Sequence, residues 1–126
     1  MIRRPLALLA ATLLVLPAHA QDQAPPAAPA DLPALTLEQT TVLRCATAFA
    51  LGEHMQRTND PEAAAWPPLA VQGREFFVQS SARLMAEAGL SREQIAALVM
   101  NAGQELAAEG QLVRMMPACL QVAGIK

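Results

Sequence analysis

Only two cysteines occur in the 126 residues, Cys45 and Cys119, and they stand near opposite ends of the stretch that carries helical apolar periodicity. Joining them would close a loop of about 75 residues and remove roughly 4 kcal/mol of chain entropy from the unfolded state. That is comparable with the whole stability of a small domain, so no other feature limits the possible folds as strongly. Small domains in oxidising compartments have limited cores and commonly carry such a staple. The competing roles fit less well. A redox pair places its cysteines in one short motif near a helix start, whereas Cys45 falls in the middle of a helical pattern. A thiol nucleophile needs a base, and His54 lies off the Cys45 face.

The oxidising compartment is itself legible. Residues 1–20 read MIRRPLALLAATLLVLPAHA, with Arg3 and Arg4, an apolar run from Pro5 to Pro17, and a small-x-small end at Ala18-His19-Ala20. This is the three-part pattern of a secretory signal, with cleavage expected before Gln21. The apolar run is shorter than the ~18 residues that a spanning helix needs, and no later run is longer, so an integral membrane protein is not expected. No cysteine follows the small residues, which argues against a lipid-modified N-terminus. The expected location is periplasmic or secreted.

Loss of the signal takes Arg3 and Arg4 from the 9 Lys+Arg and none of the 11 Asp+Glu, leaving 7 against 11 and a formal charge of −4. The remaining cations, Arg44, Arg57, Arg74, Arg83, Arg92, Arg114 and Lys126, are scattered. Nucleic acid is a poor partner for such a surface, because affinity there depends on clustered cations that release counterions.

Residues 21–35, QDQAPPAAPADLPAL, hold Pro25, Pro26, Pro29 and Pro33 without apolar periodicity, the composition of an extended, disordered leader. A single helical domain is expected over 36–126. Thr36 and Gln39 have capping-box spacing and open a helix over about 36–57, with Val42, Cys45, Ala46, Phe49 and Gly52 on its apolar side. Glu53 and Arg57 are placed for an i,i+4 ion pair. Asn59-Asp60-Pro61 ends that helix, and Asp60 with Pro61 can cap one short turn. Pro68 is suited to open a second helix over about 68–88, facing inward through Leu69, Gly73, Phe76, Phe77, Ser80, Ser81, Leu84, Met85 and Ala88. Gly73 there would admit a close helix approach. In AGLSREQI, Gly89 suits a left-handed helix end, Ser91 and Gln94 repeat the capping box, and Leu90 and Ile95 form a hydrophobic staple. So short a junction implies adjacent, antiparallel helices.

A third helix over about 92–109 would bury Ile95, Leu98, Val99, Ala102 and Leu106 and stop at Gly110. The tail should form a shorter helix interrupted by Pro117, which either kinks it or opens a last turn carrying Cys119. Nothing alternates apolar and polar as a strand does, and tyrosine is absent. The expected fold is all-α, a compact bundle of about four helices clamped by the Cys45–Cys119 disulfide.

No constellation points to catalysis. The carboxylates Glu38, Glu53, Glu75, Glu87, Glu93, Glu105 and Glu109 are spread around helix surfaces, and Ser80 and Ser81 have no elbow motif. His54 with one of Met85, Met100, Met115 or Met116 would suffice for non-covalent haem, and a copper site is the related alternative. The plainer reading is a surface histidine at a helix end and methionines that fill a core, with no cofactor and no metal. Trp66-Pro67-Pro68 stands apart. A lone tryptophan before two prolines is either a lid on the core or an exposed anchor for a partner protein, and both readings stay open.

The signal pattern together with LRCATAFALGE, AWPPLAVQGREFF, AGLSREQI and MPACL resembles small uncharacterised exported helical proteins of Gram-negative bacteria, over Thr36 to Leu120. That resemblance implies export and a helical fold, and no activity. In architecture alone, a small helical chain with two cysteines is also similar to the periplasmic acid-stress chaperones, from which it departs in its proline-rich leader and longer inter-cysteine span. The expected function is therefore non-enzymatic, through binding another protein or through self-association. The alternatives are a chaperone that exposes apolar helix faces when acid neutralises its carboxylates, and a haem or copper carrier using His54.

Overall fold

The computed structural model describes residues 31–126. The signal pattern of 1–20 and most of the leader lie outside the described residues. Four helices make up the bundle: α1 Leu37–Arg57, α2 Gln72–Ala88, α3 Arg92–Ala107 and α4 Gln111–Ala123, with a 3₁₀ turn at Pro61–Ala63. No strand occurs among the described residues.

Helix α1 is the hub, packing against α2, α3 and α4. Its start is fixed as the spacing requires: Thr36 Oγ1 accepts from the Gln39 amide at 3.1 Å, and the Gln39 side chain accepts from the Thr36 amide at 3.0 Å. Ser91 and Gln94 repeat this reciprocal arrangement at the head of α3. Gly89 adopts φ +64° at the end of α2, a conformation that side chains with a Cβ rarely accept. The chain turns there, the Leu90 amide donates to the Met85 carbonyl, and Leu90 and Ile95 are buried together.

Two apolar clusters are stacked along α1. The first joins Leu43 of α1 to Leu84, Leu90 and Ile95, with Leu35, Val42, Met85, Ala88, Leu98 and Val99 against it. The second gathers Cys45, Ala48 and Phe49 with Leu69, Leu106, Leu112, Met116, Cys119 and Ile125. Leu43 meets Leu84 while Phe49 meets Phe76 edge-to-face at 5.3 Å, so α1 and α2 run antiparallel. A Cβ on Gly73 would lie 3.2 Å from the Phe49 Cβ, so glycine admits the close approach of these two helices.

The disulfide joins Cys45 to Cys119, 74 positions apart, with Cα atoms 5.1 Å from each other. Both cysteines are buried in the second cluster, and the bond ties α4 to α1.

Four expectations need correction. Helix α2 begins at Gln72 rather than Pro68, because Leu69 is committed elsewhere: its side chain is fully buried and its amide donates to the Gln56 side chain. Helix α3 ends at Ala107, and the Gln111 amide closes the following turn on the Ala108 carbonyl. Helix α4 continues through Pro117 instead of being interrupted. Pro117 is exposed and lacks the N–H that would reach only the carbonyl of the exposed Val113, while Met116 and Cys119 on either side of it are buried. Finally, residues 31–35 of the expected leader lie on the bundle, with Leu35 against the first cluster and the Asp31 carbonyl accepting from Gln94 Nε2 at 3.2 Å.

Candidate functional site

The end of α1 and the segment after it build a surface that gathers Trp66 and Pro68 with Gln56, Asn59 and Asp60. The Asn59 amide donates to the Gln56 carbonyl and the Asp60 amide to that of Met55. Asn59 takes φ +56°, a left-handed conformation that asparagine tolerates better than most residues. Asp60 Oδ1 then accepts from the Glu62 amide at 3.0 Å, capping the short Pro61–Ala63 turn. The chain rises from that turn into Trp66-Pro67-Pro68.

Gln56 holds this segment in place. Its Nε2 donates to the Pro67 carbonyl at 2.9 Å and to the Trp66 carbonyl at 3.3 Å, and its Oε1 accepts from the Leu69 amide at 3.0 Å. One amide thus satisfies three backbone groups in a stretch where Pro67 and Pro68 have no N–H of their own. Beneath it, a Cβ on Gly52 would lie 2.8 Å from both Leu69 Cδ1 and Met116 Cε, and 3.3 Å from Trp66 Cζ3. Glycine at that position seats the Leu69 plug and the edge of the indole.

Trp66 is half-buried, with part of its ring against the second cluster. It is a lid on the core, and it also borders an open cleft of about 430 Å³. Trp66, Pro61 and Pro68 form the apolar walls, Ala63 and Ala64 also line it, and Gln56, Asn59 and Asp60 supply polar groups. Pro67 is half-buried and does not line this space. The volume is within the range of ligand-binding clefts, and its lining mixes apolar surface with a few polar groups.

The other candidates are dispersed. His54 is exposed, with Nδ1 3.2 Å from Arg57 Nη2. Met116 is fully buried, Met85 belongs to the other cluster and Met100 is exposed. Among the described residues no three His, Cys, Asp or Glu side chains come together as metal ligands would. Glu53 pairs with Arg57 at 3.1 Å and Glu87 with Arg83 at 2.6 Å, both on the surface within one helix. The Glu87 carboxylate holds the Arg83 guanidinium above its ordinary pKa. Ser80 is buried between α1 and α2, and Ser81 Oγ and Arg44 Nε are buried without a hydrogen-bond partner. A second space of about 230 Å³ between the start of α1 and the end of α2 is bordered by Gln39, Arg83 and Glu87, which are already paired.

No helix among the described residues is long and apolar enough to cross a membrane. Together these features define a class by architecture: an all-α bundle clamped by one disulfide, with a tryptophan-bordered cleft at one end. Comparison with protein-family models, curated proteins and solved structures finds no match to this chain.

Proposed function

We propose that this chain is an exported, non-enzymatic helical module that acts by binding another protein or by self-association, with the Trp66-Pro67-Pro68 surface as its contact. The observation that carries the reading is Trp66 itself, half-buried beside a 430 Å³ cleft with its backbone fixed by Gln56. A rigid, partly exposed tryptophan loses little entropy on binding and offers a large apolar area, which is why the residue is enriched at binding hot spots. The signal pattern, the buried disulfide and the resemblance to exported Gram-negative proteins support a periplasmic location.

The chaperone and carrier readings rank lower. Among the described residues, the carboxylates make only exposed contacts, the two i,i+4 ion pairs, the Asp60 cap on the Glu62 amide and the Gln79–Glu75 bond, and such surface contacts contribute little to stability. A carrier would have to recruit the exposed His54, whose ring nitrogen lies 3.2 Å from the Arg57 guanidinium, a cation that disfavours a metal ion there.

The test is a photo-crosslinking residue placed at Ala64, exposed on the cleft, and separately at Ala86, exposed on α2. In exporting cells the reading predicts a discrete crosslinked species from position 64 that is missing from position 86. No product from position 64, or the same products from both, would contradict it.

A further inference from the structure

The walls of the Trp66 cleft are one indole ring and two proline rings, and since the Gln56 amide is spent on the Trp66, Pro67 and Leu69 backbone, the donor it offers is the exposed side-chain amide of Asn59. Such a surface suits an extended segment that contains proline: ring packs on ring, and a polyproline backbone, having no internal hydrogen bonds, leaves its carbonyls free for donors. The chain itself carries one such segment, Ala24-Pro25-Pro26-Ala27-Ala28-Pro29. Resting on the reading of the Trp66 surface as a protein-binding site, we infer that this segment of one copy occupies the cleft of a second copy.

Reach decides between the molecule's own cleft and that of another. Asp31 is anchored to Gln94 in the first turn of α3, and Leu35 lies in the cluster of Leu43 and Ile95, at the end of the bundle where α1 begins. From Leu43 to Gln56, which borders the cleft, α1 rises about 20 Å. At full extension of about 3.5 Å per residue, Pro29 gets about 7 Å from Asp31 and Pro26 about 18 Å. By the same measure only Pro25 and Ala24, at about 21 and 25 Å, span that rise, so the segment as a whole cannot lie along the cleft of its own molecule. An antiparallel pair of copies removes the limit, because each Asp31 anchor then falls at the cleft end of the other copy. Reciprocal exchange closes such a pair.

Trp66 is the sole tryptophan, so its emission reads occupancy of the cleft directly. The experiment is sedimentation velocity with tryptophan fluorescence on the chain from Gln21 to Lys126, from micromolar to millimolar concentration. The variants are Pro25→Ser with Pro26→Ser and Pro29→Ser, which disarms the segment, and Ala64→Glu, which places an exposed charge in the cleft. The unaltered chain is expected to dimerise with a blue shift of Trp66 that follows concentration. Each variant alone lacks both contacts of the exchanged pair and should stay monomeric over this range. An equimolar mixture of the two variants should associate again, more weakly than the unaltered chain, since one intact segment then meets one intact cleft, a rescue that a misfolded variant cannot give. A monomer at every concentration overturns the inference, and so does association that survives loss of the prolines or is untouched by Ala64→Glu. If the inference fails while position 64 still crosslinks a different protein, the binding reading stands without it; if both fail, the surface has no such role.

Discussion

Gln56 and Trp66 show how differently two neighbouring functions appear in a sequence. Trp66-Pro67-Pro68 is conspicuous because its residue types are rare and restrict the backbone. Gln56 is not, since a glutamine in the last turns of an amphipathic helix has the same appearance whether it meets water or holds a loop. Its role exists only once the chain folds back and brings the Trp66 and Pro67 carbonyls and the Leu69 amide within 3.3 Å. Replacing it separates the two readings. Gln56→Ala leaves those backbone groups without their partner and is expected to cost about 1–3 kcal/mol, measured by urea unfolding, with a red shift of Trp66 emission. Gln56→Glu keeps the acceptor for Leu69 but turns an oxygen towards two carbonyls, so it should be destabilising as well. If Gln56→Ala leaves both stability and emission unchanged, the amide does not hold the segment.

The starts of α1 and α3 are the most legible boundaries, because Thr36 with Gln39 and Ser91 with Gln94 encode their caps within four residues. The boundaries that differ from expectation were set by tertiary contacts. Pro68 is a sound first residue for a helix, yet the burial of Leu69 and its bond to Gln56 delay α2 until Gln72. Pro117 carries a breaking signal that the paired anchors Met116 and Cys119 override within α4. The structure therefore makes α4 the element most dependent on its covalent tie. A Cys45→Ala, Cys119→Ala double variant should lose about 4 kcal/mol on the chain-entropy model. Amide exchange should accelerate more in α4 than at Leu84, Leu90 and Ile95, whose cluster does not include the bond. Equal acceleration throughout would mean that α4 is not separately dependent on the disulfide.

At the scale of the whole molecule, apolar periodicity, two caps and one cysteine pair were enough to read an all-α bundle closed by Cys45–Cys119. They were not enough to read the cleft, which is assembled from the end of α1, the Pro61–Ala63 turn and the segment after it. Its chemistry is distributed over short-range turns whose packing no local pattern encodes. The function proposed above is that of an exported, covalently closed helical module that works through its surface without a cofactor. Native mass spectrometry of the protein recovered without reductant from exporting cells tests it most directly. The expected species is a chain that begins at Gln21 and is two hydrogens lighter than its reduced form, alone or in whole-number multiples of that mass. Free thiols at Cys45 and Cys119, or added mass from haem or a metal ion, would contradict it and move attention from Trp66 to His54 and the methionines.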